Sequence, residues 1–186
     1  MTELDFLELS IADDTWAELG RKPGSDDVDG GIEQLAATSV RAALEVADIP
    51  VDAVIVSILL TNDAQMRQLN RDFRAKDRAT NVLSWPSQAL ERPFTVESDL
   101  VTALHRDDPT GRHLLGDVAL GFQTVRVEAK DQAKSIEQHA MHLIVHGVLH
   151  LLGYDHQIDE DAVAMERCEI EALKRLGWPD PYQVRS

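Results

Sequence analysis

Apolar and polar positions along the chain separate into blocks with two distinct periods. Leu4, Phe6, Leu7, Leu9 and Ile11 alternate in part, which predicts a first strand over 3–11, with a short amphipathic turn around Trp16 and Leu19 after it. The stretch 21–31 is polar, contains Pro23 and three glycines, and reads as a loop. Ile32, Leu35, Ala36, Ser39, Val40, Ala43, Leu44 and Ala47 then recur at helical spacing, with Pro50 beyond the expected end. Val54 to Leu60 is a β-branched apolar run suited to an interior strand. Thr61, Asn62 or Asp63 can cap a helix that carries Met66, Leu69 and Phe73.

The second half continues the alternation. Val82 to Trp85 reads as a short strand closed by Pro86, and 87–112, with Pro93, Pro109 and Gly111, reads as a loop or lid inserted in the domain. Leu114 to Phe122 suits a strand and Thr124 to Ser135 a charged helix. Ile136 to Leu152 suits a helix with an apolar face of Met141, Val145, Val148 and Leu149, stopped by Gly153. A final helix runs from about Asp159 to Leu176 and ends at Gly177, before Pro179 and Pro181. Four strands interleaved with helices predict an α+β or α/β fold with one mixed sheet. At 186 residues the chain is expected to form one domain, 1–186. Strand order and direction do not follow from the pattern.

Composition narrows the chemistry. The opening MTELDFLELS has three acidic residues, and no basic residue precedes Arg21, so a cationic secretory leader is not expected and the cytoplasm is. No apolar run approaches the roughly 20 residues needed to span a bilayer. Cys168 is the only cysteine, which excludes an internal disulfide and a thiolate-rich zinc site, so any bound metal must rest on histidine and carboxylate. A net charge of −15 argues against indiscriminate nucleic-acid binding, yet Arg67 to Arg78 holds five cations (Arg67, Arg71, Arg74, Lys76, Arg78) against Asp72 and Asp77, so 5 − 2 gives +3. A solvated helix face is the ordinary meaning of such a run taken alone.

His146, His150 and His156 form the strongest chemical signal. Residues i and i+4 project from one helical face and can share one ion. A third ligand cannot come from the next turn of the same face, because each turn rises about 5.4 Å and ligand bonds are about 2 Å long. Gly153 can end the helix in the left-handed conformation, and the turn through Tyr154 and Asp155 can return His156 to the ion. His139 and His142 share the stripe but lie too far along the axis, and are expected to be polar or supporting histidines. All-imidazole ligation favours zinc, one per chain, over magnesium or calcium, with nickel, copper and iron chemically open as well. Three protein ligands leave the open fourth position of a catalytic zinc.

The spacing H-x-x-x-H-x-x-G-x-x-H is that of metzincin peptidases, whose motif begins His-Glu and uses the glutamate as general base. Here that position is Gly147, which lowers the peptidase reading. The segment HGVLHLLGYDH resembles the signature of the YbeY endoribonucleases, bacterial ribosomal RNA maturation factors. Residues 69–86, LNRDFRAKDRATNVLSWP, are similar to a second block of that family, and Leu115-Gly116-Asp117-Val118 to a third, so the likeness covers roughly 50–175.

The resemblance implies a mixed four-stranded sheet with flanking helices. It implies a metal-dependent, single-strand-directed endoribonuclease in small-subunit ribosomal RNA 3′-end processing and ribosome quality control. Ribosomal RNA and small-subunit components are the implied partners, with no DNA and no membrane expected. It further implies that Arg74 is essential alongside His146, His150 and His156, and a guanidinium able to grip a phosphate bidentately agrees with that. An ion pair with one of the many carboxylates is the plain alternative for Arg74. The segments 21–31 and 87–112 are longer than the family needs. The second is net acidic, which is awkward beside RNA. A zinc hydrolase of another substrate such as a peptide, and a non-enzymatic ribosome assembly factor with a structural metal, are the competing functions. Asp155 stands as a candidate base or as the group that orients an imidazole.

Overall fold

The computed structural model of the chain describes residues 5–19, 31–88, 112–156 and 158–183. The described residues form an α+β fold around a mixed sheet of β1 (Leu7–Ile11), β2 (Val54–Thr61), β3 (Val82–Pro86) and β4 (His113–Gly121), in the order β1-β2-β4-β3. β1 and β4 run parallel to β2 on either side, and β3 closes the far edge antiparallel to β4. The helices are α1 (Gly31–Val46), α2 (Asp63–Arg74), α3 (Phe122–Asp131), α4 (Ile136–Leu151) and α5 (Asp159–Arg175).

Burial follows the two periods seen in the sequence. Along β2, Val54, Val56, Ile58 and Leu60 are buried alternately and point to the face covered by α1 and α4, where they join the main core with Leu44, Ile144 and Leu149. The other face carries a smaller cluster in which Met66 of α2 meets Leu83 and Ala119. Capping chemistry sets the helix starts. Asn62 accepts the Gln65 amide at 3.0 Å to open α2, and Ser135 accepts that of Gln138 at 3.1 Å to open α4.

Several expectations are adjusted. The helix expected over Thr124–Ser135 spans Phe122–Asp131, because Ala133 takes a positive φ of 51° and turns the chain so that Ser135 can cap α4. Of the first strand expected over 3–11, the described residues place Leu7–Ile11 in β1, with 5–6 in a turn and 3–4 outside the described residues. The loop expected over 21–31 and the loop or lid expected over 87–112 fall almost wholly outside the described residues. Among the described residues no helix is long and apolar enough to cross a membrane.

Candidate metal centre

α4 brings His146 and His150 onto one face, and its terminus explains His156. Tyr154 N donates to Leu149 O at 3.0 Å and Gly153 N to His150 O at 3.0 Å, the paired bonds of a Schellman turn, with Gly153 at φ 81°. The returning chain places the His156 ring 5.7 Å from that of His146 and 5.1 Å from that of His150. One ligand atom from each of the three histidines falls within 4.8 Å of the others.

The orientation of the two helical imidazoles is set from behind. His146 Nδ1 meets Glu169 Oε1 at 2.7 Å, and His150 Nδ1 meets the Tyr154 carbonyl at 2.9 Å. Both partners can only accept, so both Nδ1 atoms carry a proton and the Nε2 atoms are the ones turned toward each other. Those Nε2 atoms are 3.1 Å apart. Two lone pairs at that distance repel unless a cation or a proton sits between them. Burial, the neighbouring His146 and His156 push the His150 pKa down to about 4 against the lift from the Tyr154 carbonyl and Asp155, so a proton on His150 is disfavoured near neutrality. Two imidazoles at about 2.0–2.1 Å from one tetrahedral ion have nitrogens about 3.3 Å apart. The donor set therefore fits a small divalent metal.

Glu169, on α5, is fully buried. Burial alone would raise its pKa, but hydrogen bonds with His142 and His146 hold it well below the usual carboxylate range. It is the carboxylate that orients a ligand, a role for which the sequence offered only Asp155. Asp155 Oδ1 instead accepts the His156 backbone amide at 2.7 Å. His142 reaches the centre only through Glu169, at 3.0 Å, and the buried His139 pairs with Glu128 at 2.8 Å; neither belongs to the ligand group. The signal for Glu169 in the sequence was an acidic residue inside the apolar stripe Met165, Ala172 and Leu173 of a helix.

Arg74, the last residue of α2, lines the same cleft of about 560 Å³ as His146, His150, His156 and Asn81. Its Nη2 donates to the Ser84 carbonyl on β3 at 3.1 Å. Arg67 is paired with Asp77 at 2.7 Å and Arg71 with Asp72 at 3.2 Å, so both aspartates of the basic stretch are spent on other arginines. Among the described residues Arg74 makes no ion pair with a carboxylate, and its charge stays available on the cleft wall. Gly147 faces away from the cleft. A Cβ there would lie 2.6 Å from Val118 Cγ1, so the position of the peptidase glutamate is here closed by the contact of α4 with β4.

A family model described as "Endoribonuclease YbeY" matches residues 23–177. The chain is similar to "Endoribonuclease YbeY" of Rhodopseudomonas palustris, 37% identical over 177 residues that cover 95% of this chain and 80% of that protein. Its likeness to the protein of that description from Bradyrhizobium sp. is 38% over 178 residues, 96% of this chain and 92% of the relative. With that of Paramagnetospirillum magneticum it shares 47% over 140 residues, 75% and 78% of the two chains.

Proposed function

The chain belongs to the YbeY endoribonuclease family, and from that premise we propose that it is a zinc-dependent endoribonuclease that cuts single-stranded RNA during maturation of the small-subunit ribosomal RNA in the cytoplasm. The observation that carries the metal-dependent part is the pair of Nε2 atoms held 3.1 Å apart, each ring fixed by an acceptor behind it, with His156 brought alongside. An all-imidazole set of three favours Zn²⁺, one per chain, held by His146, His150 and His156. When bound, such an ion supplies a Lewis acid that polarises a phosphoryl oxygen and makes water more acidic.

The chain's own groups do the rest. Glu169 and the Tyr154 carbonyl keep the imidazoles aimed. Arg74 grips a non-bridging phosphate oxygen on the opposite wall and stabilises the charge that develops there. A peptidase reading has no support at residue 147, which is packed against Val118.

The test incubates metal-defined protein with precursor small-subunit ribosomal RNA, free and within a particle, and maps product ends, with zinc measured by elemental analysis. We expect about one zinc per chain, metal-dependent cleavage, and loss of both in His150→Ala. Unchanged zinc in His150→Ala would sink the ligand assignment. Peptide turnover without RNA cleavage would sink the substrate.

A further inference from the structure

Glu169 has two oxygens and three groups to serve. Oε1 holds His146 Nδ1, while Oε2 meets His142 Nε2 at 3.0 Å and accepts the Tyr182 hydroxyl. Tyr182 lies beyond α5, in a segment that doubles back along the N-terminal half of α4. Trp178 Nε1 contacts Met141 Sδ at 3.1 Å, Lys134 Nζ donates to the Pro181 carbonyl at 3.3 Å, and Asp180 Oδ1 accepts the Tyr182 amide at 2.9 Å. The Tyr182 ring meets His142 edge-on, with centroids 5.9 Å apart.

None of these anchors touches a metal ligand. Their joint effect is to deliver one hydroxyl to the Glu169 oxygen that His146 does not use. The terminal torsion of a glutamate is broad, and Oε2 is held by His142 and Tyr182 together, so losing the hydroxyl leaves one holder where there were two and lets the carboxylate swing further from His146. The phenol is held as a donor: partial desolvation, its hydrogen bond to Glu169 and that carboxylate's charge raise its pKa above the ordinary value, although the ring stays partly exposed.

We propose that Tyr182 is a positioning residue of the metal centre, acting through Glu169 to keep His146 Nε2 aimed at the ion. The proposal rests on the metal-binding reading above. It adds a reach of chain outside the ligand motif to the parts that set metal affinity.

The experiment measures Zn²⁺ affinity by competition with a chromogenic chelator, the absorption spectrum of the Co²⁺-loaded protein, and the melting temperature of the metal-free protein. Tyr182→Phe keeps the ring against His142 and removes only the hydroxyl. It should weaken Zn²⁺ binding about 3–10-fold and shift the Co²⁺ bands while leaving the metal-free melting temperature unmoved, since partners one shell out commonly change affinity by about 10–100-fold and this one acts a step further away. Glu169→Gln should lose about 10–100-fold. Combining the two should add nothing beyond Glu169→Gln, because both act through one carboxylate. Lys134→Met, which removes one of several anchors of the segment and leaves the Tyr182 hydroxyl itself in place, should lose less affinity than Tyr182→Phe.

Parental affinity and spectrum in Tyr182→Phe would overturn the proposal, as would an equal loss in Lys134→Met or additive losses in the double variant. If the parent protein takes up neither Zn²⁺ nor Co²⁺, the metal reading itself fails and this inference goes with it.

Discussion

The two helices that contribute to the metal cleft are held in place by opposite means. α4, which carries His146 and His150, buries eleven of its sixteen residues between α1 and the sheet. α2, which carries Arg74, buries only Met66 and Asn70 of its twelve. Its position comes from polar contacts at both ends. The Asp63 carboxylate caps Thr124 at the start of α3, while the Gln123 side chain accepts the Asp63 amide, so the two helix starts cap each other. At the far end Asn70 Nδ2 donates to the Arg78 carbonyl at 2.8 Å, and Ala75 takes a left-handed φ of 55° to end the helix. Metal ligation tolerates errors of a few tenths of an ångström and needs a packed support. A group proposed to meet a phosphate must stay in water, and caps and a few hydrogen bonds suffice for it.

That contrast is broken most violently at Gly147. Gly147→Glu forces a carboxylate into the contact with the fully buried Val118 and should cost more than about 4 kcal/mol, enough to prevent folding and therefore any peptidase gain. Gly147→Ala tests the packing alone. Overpacking costs about 1–3 kcal/mol and helix propensity returns about 1, so a net loss of up to about 2 kcal/mol in urea denaturation is expected. A stabilised alanine variant would mean that the core yields more than this geometry allows.

The next effect belongs to α2. Asn70→Ala leaves the Arg78 carbonyl without its partner and should cost about 1–2 kcal/mol while zinc content stays at the parental level. Loss of zinc in that variant would erase the distinction between the helices.

Arg74→Ala should perturb stability least, within about 0.5 kcal/mol, since it removes one hydrogen bond from an exposed side chain to an edge carbonyl. RNA cleavage should nevertheless fall by about 10²-fold or more with zinc retained. Arg74→Lys should recover part of it, because a point charge lacks the bidentate fork. Unfolding or emptying of the site in Arg74→Ala would instead assign this arginine to the scaffold.

Local chemistry was legible in the sequence where it is local in space. The i, i+4 histidines, the stop at Gly153, the cap at Asn62 and the interior character of β2 each depend on residues within a few positions of one another. The left-handed turn at Ala133 was not, since no glycine or asparagine marks it, and α3 ends earlier than its charge pattern suggested. Strand order was hidden because it is decided by pairing between distant segments. Glu169 was hidden for the same reason, being 23 residues from the histidine it holds, and Tyr182 a further 13 beyond it. Asp155, adjacent to a ligand, drew attention that belonged to a residue adjacent only in the fold.

The place of β4 in the sheet has a consequence for how the protein is made. β4 sits between β2 and β3 although it follows both in the chain, and its first pairing, Val54 with His113, joins residues 59 positions apart (113 − 54). Such pairing must close a long loop before any contact repays the lost chain entropy, which slows folding. A nascent chain that has emerged only as far as β3 leaves the β2 edge without its partner, open to other strands. The three histidines of the candidate metal centre follow later still, on α4 and its turn. Synthesis thus brings them out only after the last strand of the sheet, and an incomplete chain holds neither the finished sheet nor the candidate centre.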